Sequence, residues 1–340
     1  MTSESPAGSV LRTGLAALGV ATAAGAGVLG WSLAQAAWGH RIRELDLTPS
    51  PAPAELTVLH LSDMHLLPRL AARRRFLRSL AERTRPDLVV FTGDALASPA
   101  AVPAVLRDMD ALLDLPGVFV FGSNDYVGPS FKNPLQYFRK SAPTHRSEPQ
   151  KLPAEAFADA LRRRGWLDLR NARGQLTVKG VELSFVGVDD PHIDLDSLPA
   201  DDGLRGHLHI GVGHAPYLRT LDEFRADGCD VALFGHTHGG QICVPGYGAL
   251  VTNSDLPTWR ASGLQGWPGL RPDGLAITPR PPFAPVPPVL PDDGREPMWV
   301  NISAGLGTSP YAPIRLACPP EVSVVRFAPV GFRSEAEPRI

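Results

Sequence analysis

Cysteine is scarce in this chain: among 340 residues there are three, Cys229, Cys243 and Cys318, far apart and without a C-x-x-C spacing. That argues against a disulfide framework and against a cysteine-type zinc site, and leaves packing as their expected role. Neither sign of charge is in excess, since 33 Lys and Arg face 35 Asp and Glu for a formal net charge of −2. A nucleic-acid partner is therefore not expected. No internal repeat is visible.

Charge is missing altogether from residues 13–39, a run rich in Ala, Gly, Leu and Val with Trp31 and Trp38 toward its far end. The run exceeds the roughly 20 residues needed to cross a bilayer. An uncleaved anchor, a signal peptide cut at Ala34-Gln35-Ala36 and a buried helix are the three readings, and the length favours the anchor over a signal core of about 7 to 15 residues. There is no twin-arginine pair, and only Arg12 precedes the run while Arg41 and Arg43 follow it. The count leans toward the rest of the chain on the cytoplasmic side of the cell membrane and leaves the side open.

With 44% hydrophobic residues the remainder can bury a full core. The expected division is an anchor segment over 1–44, a proline-punctuated linker over 45–54, a folded domain over 55–328 and a tail over 329–340. Two stretches read as insertions. Residues 127–152 are polar with Phe131, Lys132, Tyr137, Phe138, Arg139 and Lys140, as a substrate lid or a solvated surface loop would be; residues 269–297 are proline-dense.

The folded domain is organised around residues 231–241, where the apolar run Val231-Ala232-Leu233-Phe234 breaks at Gly235 into His236, Thr237 and His238 and a glycine pair. Residues two apart in an extended backbone point to one side, so the two imidazoles are expected to converge beyond the strand. An isolated H-x-H is more often a pair of loop histidines. Here four other apolar runs end the same way, at Asp63-Met64-His65, Gly93-Asp94, Gly122-Ser123-Asn124-Asp125 and Gly213-His214. Periodic helical segments over 72–83, 102–113 and 154–164 separate the early strands, and past residue 175 strands dominate, with a helix over 218–225. A β-α-β-α-β sheet gathers ligands beyond the carboxyl ends of its strands, where these donors fall.

Two divalent cations about 3.5 to 4 Å apart can clamp a phosphoryl group while an activated hydroxide attacks in line. A mixed set of imidazole, carboxylate and amide donors suits Mn, Zn or Fe better than Mg or Ca. The ordered motifs D-x-H, G-D, G-x-N-D, G-H and G-H-x-H resemble those of the calcineurin-like metallophosphoesterase family over about residues 55–327. A narrower likeness, through Gly235 to Gln241 and the G-L-G-T-S run at Gly305 to Ser309, is to its membrane-associated YaeI/YkuE-like branch. The resemblance implies an α/β fold, a two-sheet β-sandwich flanked by α-helices, here preceded by a transmembrane helix. It implies that Asp63, His65, Asp94 and His238 hold one metal and that Asp94, Asn124, His214 and His236 hold the other, with Asp94 bridging. Gly239 and Gly240 are then expected to let backbone approach the phosphate.

One turn departs from the pattern, because the family's usual G-N-H-D reads Gly122-Ser123-Asn124-Asp125 here and its proton-donating histidine is missing. Either Ser123 or Asn124 occupies the ligand position; Asn124 is preferred on its chemistry, with Asp125 as a candidate acid. His145, His192 and His209 are further candidates for the acid, and His60 reads as a buried, hydrogen-bonded histidine rather than a ligand. Losing a general acid costs about 10²- to 10⁴-fold with a poor leaving group and little with a stable anion, which favours a pyrophosphate substrate. The expected function is hydrolysis of a phosphodiester or pyrophosphate bond in a phosphorylated small molecule or lipid-linked substrate by metal-activated hydroxide; the alternatives are a phosphomonoesterase on a soluble nucleotide and a non-catalytic metal-binding scaffold.

Overall fold

The computed structural model describes residues 6–48, 50–129, 150–269, 297–308 and 311–329. Helix α1 (Pro6–Trp38) leads into β1 (Arg41–Leu47) and β2 (Leu56–Leu61), followed by α2 (Ala71–Thr84), β3 (Leu88–Phe91), α3 (Val102–Asp108), α4 (Asp110–Leu113), β4 (Gly117–Phe119), α5 (Ser123–Tyr126), α6 (Ala154–Arg163) and β5 (Leu167–Asp168). The second half contributes β6 (Ala172–Val178), β7 (Val181–Gly187), β8 (Leu208–Val212), α7 (Leu218–Ala226), β9 (Val231–Phe234), β10 (Cys243–Val244), β11 (Gly248–Ala249), β12 (Gly263–Trp267), β13 (Met298–Ile302) and β14 (Glu321–Phe327).

Two six-stranded sheets result, in the orders β1-β14-β2-β3-β4-β5 and β12-β13-β9-β8-β7-β6. Strand alternation explains how they stack. On β2, Val58 points into an apolar layer shared with Val90, Val118, Ile210, Val212 and Leu233 from both sheets. Leu59 and Leu61 point the other way, against Leu77, Leu80, Val105 and Phe157 from the helices. On the far side of the second sheet, Ala232 and Phe234 meet Leu221 and Phe224 of α7. The expected helix-flanked two-sheet sandwich is therefore the fold, and the expected helices over 72–83, 154–164 and 218–225 are α2, α6 and α7.

Two expectations change. The helix expected over 102–113 is two, α3 and α4, divided at Met109, whose ψ of −2° departs from the helical value. The expected linker is partly structural: β1 pairs in parallel with β14 from Arg41↔Glu321 to Leu47↔Phe327, and Leu47 and Ala52 are buried. The folded unit thus begins at residue 41, because the open edge of β14 requires a partner for its N–H and C=O groups. Of the two stretches read as insertions, residues 130–149 and 270–296 lie outside the described residues, along with His145 and Ser309.

Within α1, Gly14–Trp38 is apolar enough, over 25 residues, to cross a membrane. Its last turns are not free. Ser32 and Ala36 are buried, the Ser32 carbonyl accepts from the Arg315 amide, and the Gln35 side chain accepts from the Cys318 amide.

Candidate metal centre

Strands β2, β3, β4, β8 and β9 end at one edge of the sandwich, and the donors follow each end by two to five residues. The chain does not leave these strands in an extended path. Asp63, His65, Asp94, His236 and His238 all have positive φ, between 40° and 69°. Such a conformation costs a non-glycine residue about 1 to 3 kcal/mol and persists where the surroundings dictate it. The extended-backbone argument for the histidine pairs is accordingly corrected: His236 and His238 diverge into two neighbouring groups.

One group joins Asp63, His65 and His238, with His65 Nε2 3.1 Å from His238 Nε2, and His238 Nε2 3.6 Å from Asp63 Oδ1. The other joins Asp63, Asp94 and His214, with His236 Nδ1 3.4 Å from His214 Nε2. Asp94 connects them. Its Oδ2 lies 3.5 Å from His65 Nε2 and 3.5 Å from His214 Nε2.

The surroundings fix which ring nitrogens face inward. His214 Nδ1 lies 2.6 Å from the Thr92 carbonyl and His236 Nε2 lies 3.0 Å from the Asn253 carbonyl. A carbonyl only accepts, so these nitrogens carry protons, which leaves the His236 Nδ1 lone pair facing His214 Nε2. Arg315, fully buried, donates to the carbonyls of His238, Ala304, Gly305 and Gly307. Arg73 similarly donates to the carbonyls of Met64 and His65 and holds the first turn.

Electrostatics in the ion-free protein mark a place for positive charge. Burial works against protonation of His214, yet Asp94, Asp190 and Asp63 hold its pKa well above the ordinary value. Burial would raise Asp94, but His214, His65 and Asn124 keep it well below the carboxylate range. Burial pushes His65 down to about 4 and His236 down to about 3, so both rings are neutral and able to ligate. Among the described residues, buried His65 Nδ1 and Asp190 Oδ2 have no hydrogen-bond partner. Close-packed neutral imidazoles around carboxylates form a donor set that fits a divalent cation.

At the altered turn, Asn124 is the residue brought to Asp94: its backbone N–H donates 2.8 Å to Asp94 Oδ1, and its side-chain amide is 2.8 Å from Asp94 Oδ2. The expectation of Asp125 as a proton donor is corrected. Its fully buried carboxylate accepts from the backbone N–H groups of Asp94, Ala95, Leu96 and Gly122. Burial and the adjacent Asp94 push its pKa up to about 7, but the four donors all engage its acceptor oxygens, so it ties the turn at Asp94 to that at Asn124.

Gly239 and Gly240 are also used differently from expectation. Both are buried; a Cβ on Gly239 would meet Cys318 Sγ at 2.7 Å, and one on Gly240 would collide with Ala249. They permit packing beneath the site rather than approach to a phosphate. Cys243 and Cys318, far apart in sequence, both place their thiols on the Gly239 carbonyl.

Among the other histidines, His60 faces the second sheet, bonded to Thr92 Oγ1 and Asn301, as expected for a core residue. His209 is engaged with Asp227 and Ser184, away from the two groups around Asp63. His192 does lie at the site, its ring 4.5 Å from that of His236 and its Nδ1 3.1 Å from the Tyr217 hydroxyl. Sequence reading missed Arg315, Arg73, Asn253 and Asp190. Three of these act on or through backbone atoms, and none belongs to a motif spacing.

The calcineurin-like phosphoesterase family model matches residues 56–240, which hold all seven candidate ligands. The chain belongs to that family. It is a metal-dependent hydrolase of phosphoester bonds. It is 26% identical over 235 residues to the uncharacterised protein YpbG of Bacillus subtilis (strain 168), covering 66% of this chain and 77% of the relative. It is 25% identical to the uncharacterised metallophosphoesterase YkoQ of the same organism, covering 57% of this chain and 65% of the relative. Among solved structures, the 5'-nucleotidase precursor of Thermus thermophilus superposes with a TM-score of 0.40 at 13% identity, covering 81% of this chain and 54% of that one.

Proposed function

We propose that the site is dinuclear, with Asp63, His65, Asp94 and His238 holding one divalent ion and Asp94, Asn124, His214 and His236 the other, and that it cleaves a phosphodiester or pyrophosphate bond. The observation that carries this reading is the position of Asp94 Oδ2, equidistant at 3.5 Å from His65 Nε2 and His214 Nε2. Mn, Zn or Fe suits the donors. When bound, the ions neutralise charge on a phosphoryl group and make water acidic enough to attack it.

The chain's own residues supply position and polarity. Thr92 and Asn253 carbonyls orient His214 and His236, Arg315 holds the His238 turn, and Asp125 clamps the backbone on both sides of Asp94. Because Asp125 is committed to those N–H groups, leaving-group protonation is not its task. A substrate whose leaving group is already a stable anion needs no such proton, so the anhydride of a lipid-linked nucleotide or sugar is the favoured class. Membership of the YaeI/YkuE-like branch and retention of α1 in a cell membrane belong to the same reading.

The test uses the full chain in mild detergent, loaded with Mn²⁺ or Zn²⁺, on an aryl phosphodiester, an aryl phosphomonoester, an alkyl phosphodiester and a sugar-nucleotide pyrophosphate. Turnover of the pyrophosphate well above the alkyl diester, abolished in Asp94→Asn, supports the proposal. Equal turnover of those two ends the anhydride reading, and preference for the monoester ends the diester one.

A further inference from the structure

Next to the metal centre the chain exposes large apolar side chains. Val244 is 43% exposed, Tyr247 47%, Leu250 49%, Val251 42% and Tyr311 53%. The first four sit on or just after the β10-β11 hairpin, which continues directly from the ligand loop at His238 and returns to Asn253, the partner of His236. Ala249, between them, is buried on Gly240. A surface hairpin with alternating polar residues would serve the same packing.

The neighbouring loop joins this hairpin to the end of α1. Ile242 bridges to Leu316, Cys243 N–H donates to the Leu316 carbonyl, and the Gln241 amide donates to the Ala312 carbonyl. From the other side, Arg315 N–H donates to the Ser32 carbonyl and Cys318 N–H to Gln35. The apolar surface of α1, including Trp31 at 62% and Trp38 at 72% exposed, therefore lies one loop away from Tyr311 and the hairpin. Arg69 and Arg75 are exposed on and just before α2, which meets the end of α1 where Phe76 stacks on His40 with ring centroids 5.3 Å apart.

We infer that Val244, Tyr247, Leu250, Val251 and Tyr311 form a rim that rests in the lipid surface and opens the metal centre toward the bilayer, so that an amphiphilic phosphate ester enters from the membrane. This rests on the membrane-anchored reading of α1 given above. Exposed aliphatic and tyrosine side chains beside arginines suit the interface of an anionic leaflet, where basic side chains are attracted to the surface. A protein whose substrate arrives from water gains nothing from exposing them beside its site.

The test reads lipid contact without using turnover. Full-length protein is reconstituted in phosphatidylethanolamine–phosphatidylglycerol vesicles, with wild type, Leu250→Trp and Leu204→Trp compared; Leu204 is 51% exposed between β7 and β8, at the opposite edge of the sheets. Lipids brominated high on the acyl chain should quench the added emission of Leu250→Trp at least about twice as strongly as that of Leu204→Trp. Equal weak quenching in protein that floats with the vesicles overturns the rim while leaving the anchor standing, and a dimer seen in detergent would then transfer the surface to a second copy. Protein that fails to float overturns both. As a second arm, Val244→Ser, Tyr247→Ser and Leu250→Ser combined should keep turnover of the soluble aryl diester within about twofold and lose about tenfold on a vesicle-borne phosphate diester; equal loss on both overturns the inference. Absent turnover by wild type on every substrate would count against the proposed hydrolysis alone, since the quenching arm is independent of it.

Discussion

His214 Nδ1 lies 2.6 Å from the carbonyl oxygen of Thr92, one residue before the glycine that precedes Asp94. The contact joins the two sheets: the end of β3 in one supplies the carbonyl and the end of β8 in the other supplies the ring. It holds His214 Nε2 toward Asp94, 3.5 Å from the same Oδ2 that lies 3.5 Å from His65 Nε2. Backbone carbonyls acting through a histidine's far nitrogen set both its orientation and its basicity.

Substituting His214→Asn removes a ligand while keeping a polar group in the buried site. Since losing a partner that merely orients a ligand costs about 10- to 100-fold, turnover should fall by at least about 100-fold. Elemental analysis after gel filtration should show metal content falling with it. Full metal content with undiminished turnover would refute the assignment.

Asp125→Asn separates a clamp from an acid. The amide has one accepting oxygen where the carboxylate serves four N–H groups, so some of these are left buried and unpaired, each at about 1 to 3 kcal/mol. A lower midpoint in thermal unfolding is expected, with residual turnover whose alkaline limb stays at the same pH. Loss of that limb at unchanged stability would restore Asp125 as a proton donor.

Gly235 separates β9 from the ligand loop, and a Cβ there would collide with Ser62 Oγ and Asp63 Oδ2, which are themselves hydrogen-bonded at 2.6 Å. Gly235→Ala should cost about 1 to 3 kcal/mol through overpacking and displace Asp63. Calorimetry of the ion-free protein reads the stability loss, and titration with Mn²⁺ reads the weaker metal binding. A substitution neutral in both would show that the two turns are not packed as described.

The buried His60 gives a pH signature away from the metals. Burial pushes its pKa down to about 3 in the folded protein, against about 6.5 for the unfolded chain. Between those values the unfolded chain binds a proton that the folded one does not. Stability is therefore complete above about pH 6.5 and falls as the pH drops toward 3, approaching about 1.4 kcal/mol per unit from this group. Denaturant unfolding in chelator at several pH values should show a shallower decline for His60→Gln than for wild type. Parallel declines would remove His60 as a contributor.

The order of strands and donors determined much of the outcome before any tertiary information. Alternation and helical spacing foretold the two sheets and most flanking helices, and the run-ending Asp63, His65, Asp94, Asn124, His214, His236 and His238 foretold the residues that meet. These features are local, because a strand's end and its punctuation lie next to each other in the chain. What folding alone decided is how the donors divide. Positive φ at His236 and His238 sends neighbours on one loop to different groups, and Asp94 reaches both only because the two sheets bring His65 and His214 to its opposite sides. The clamp made by Asp125, the carbonyls of Thr92 and Asn253 and the guanidinium of Arg315 act through contacts between distant segments or with backbone atoms, which carry no side-chain signature. The pairing of β1 with β14 spans 280 residues between Arg41 and Glu321, and nothing near either strand in the sequence announces the other.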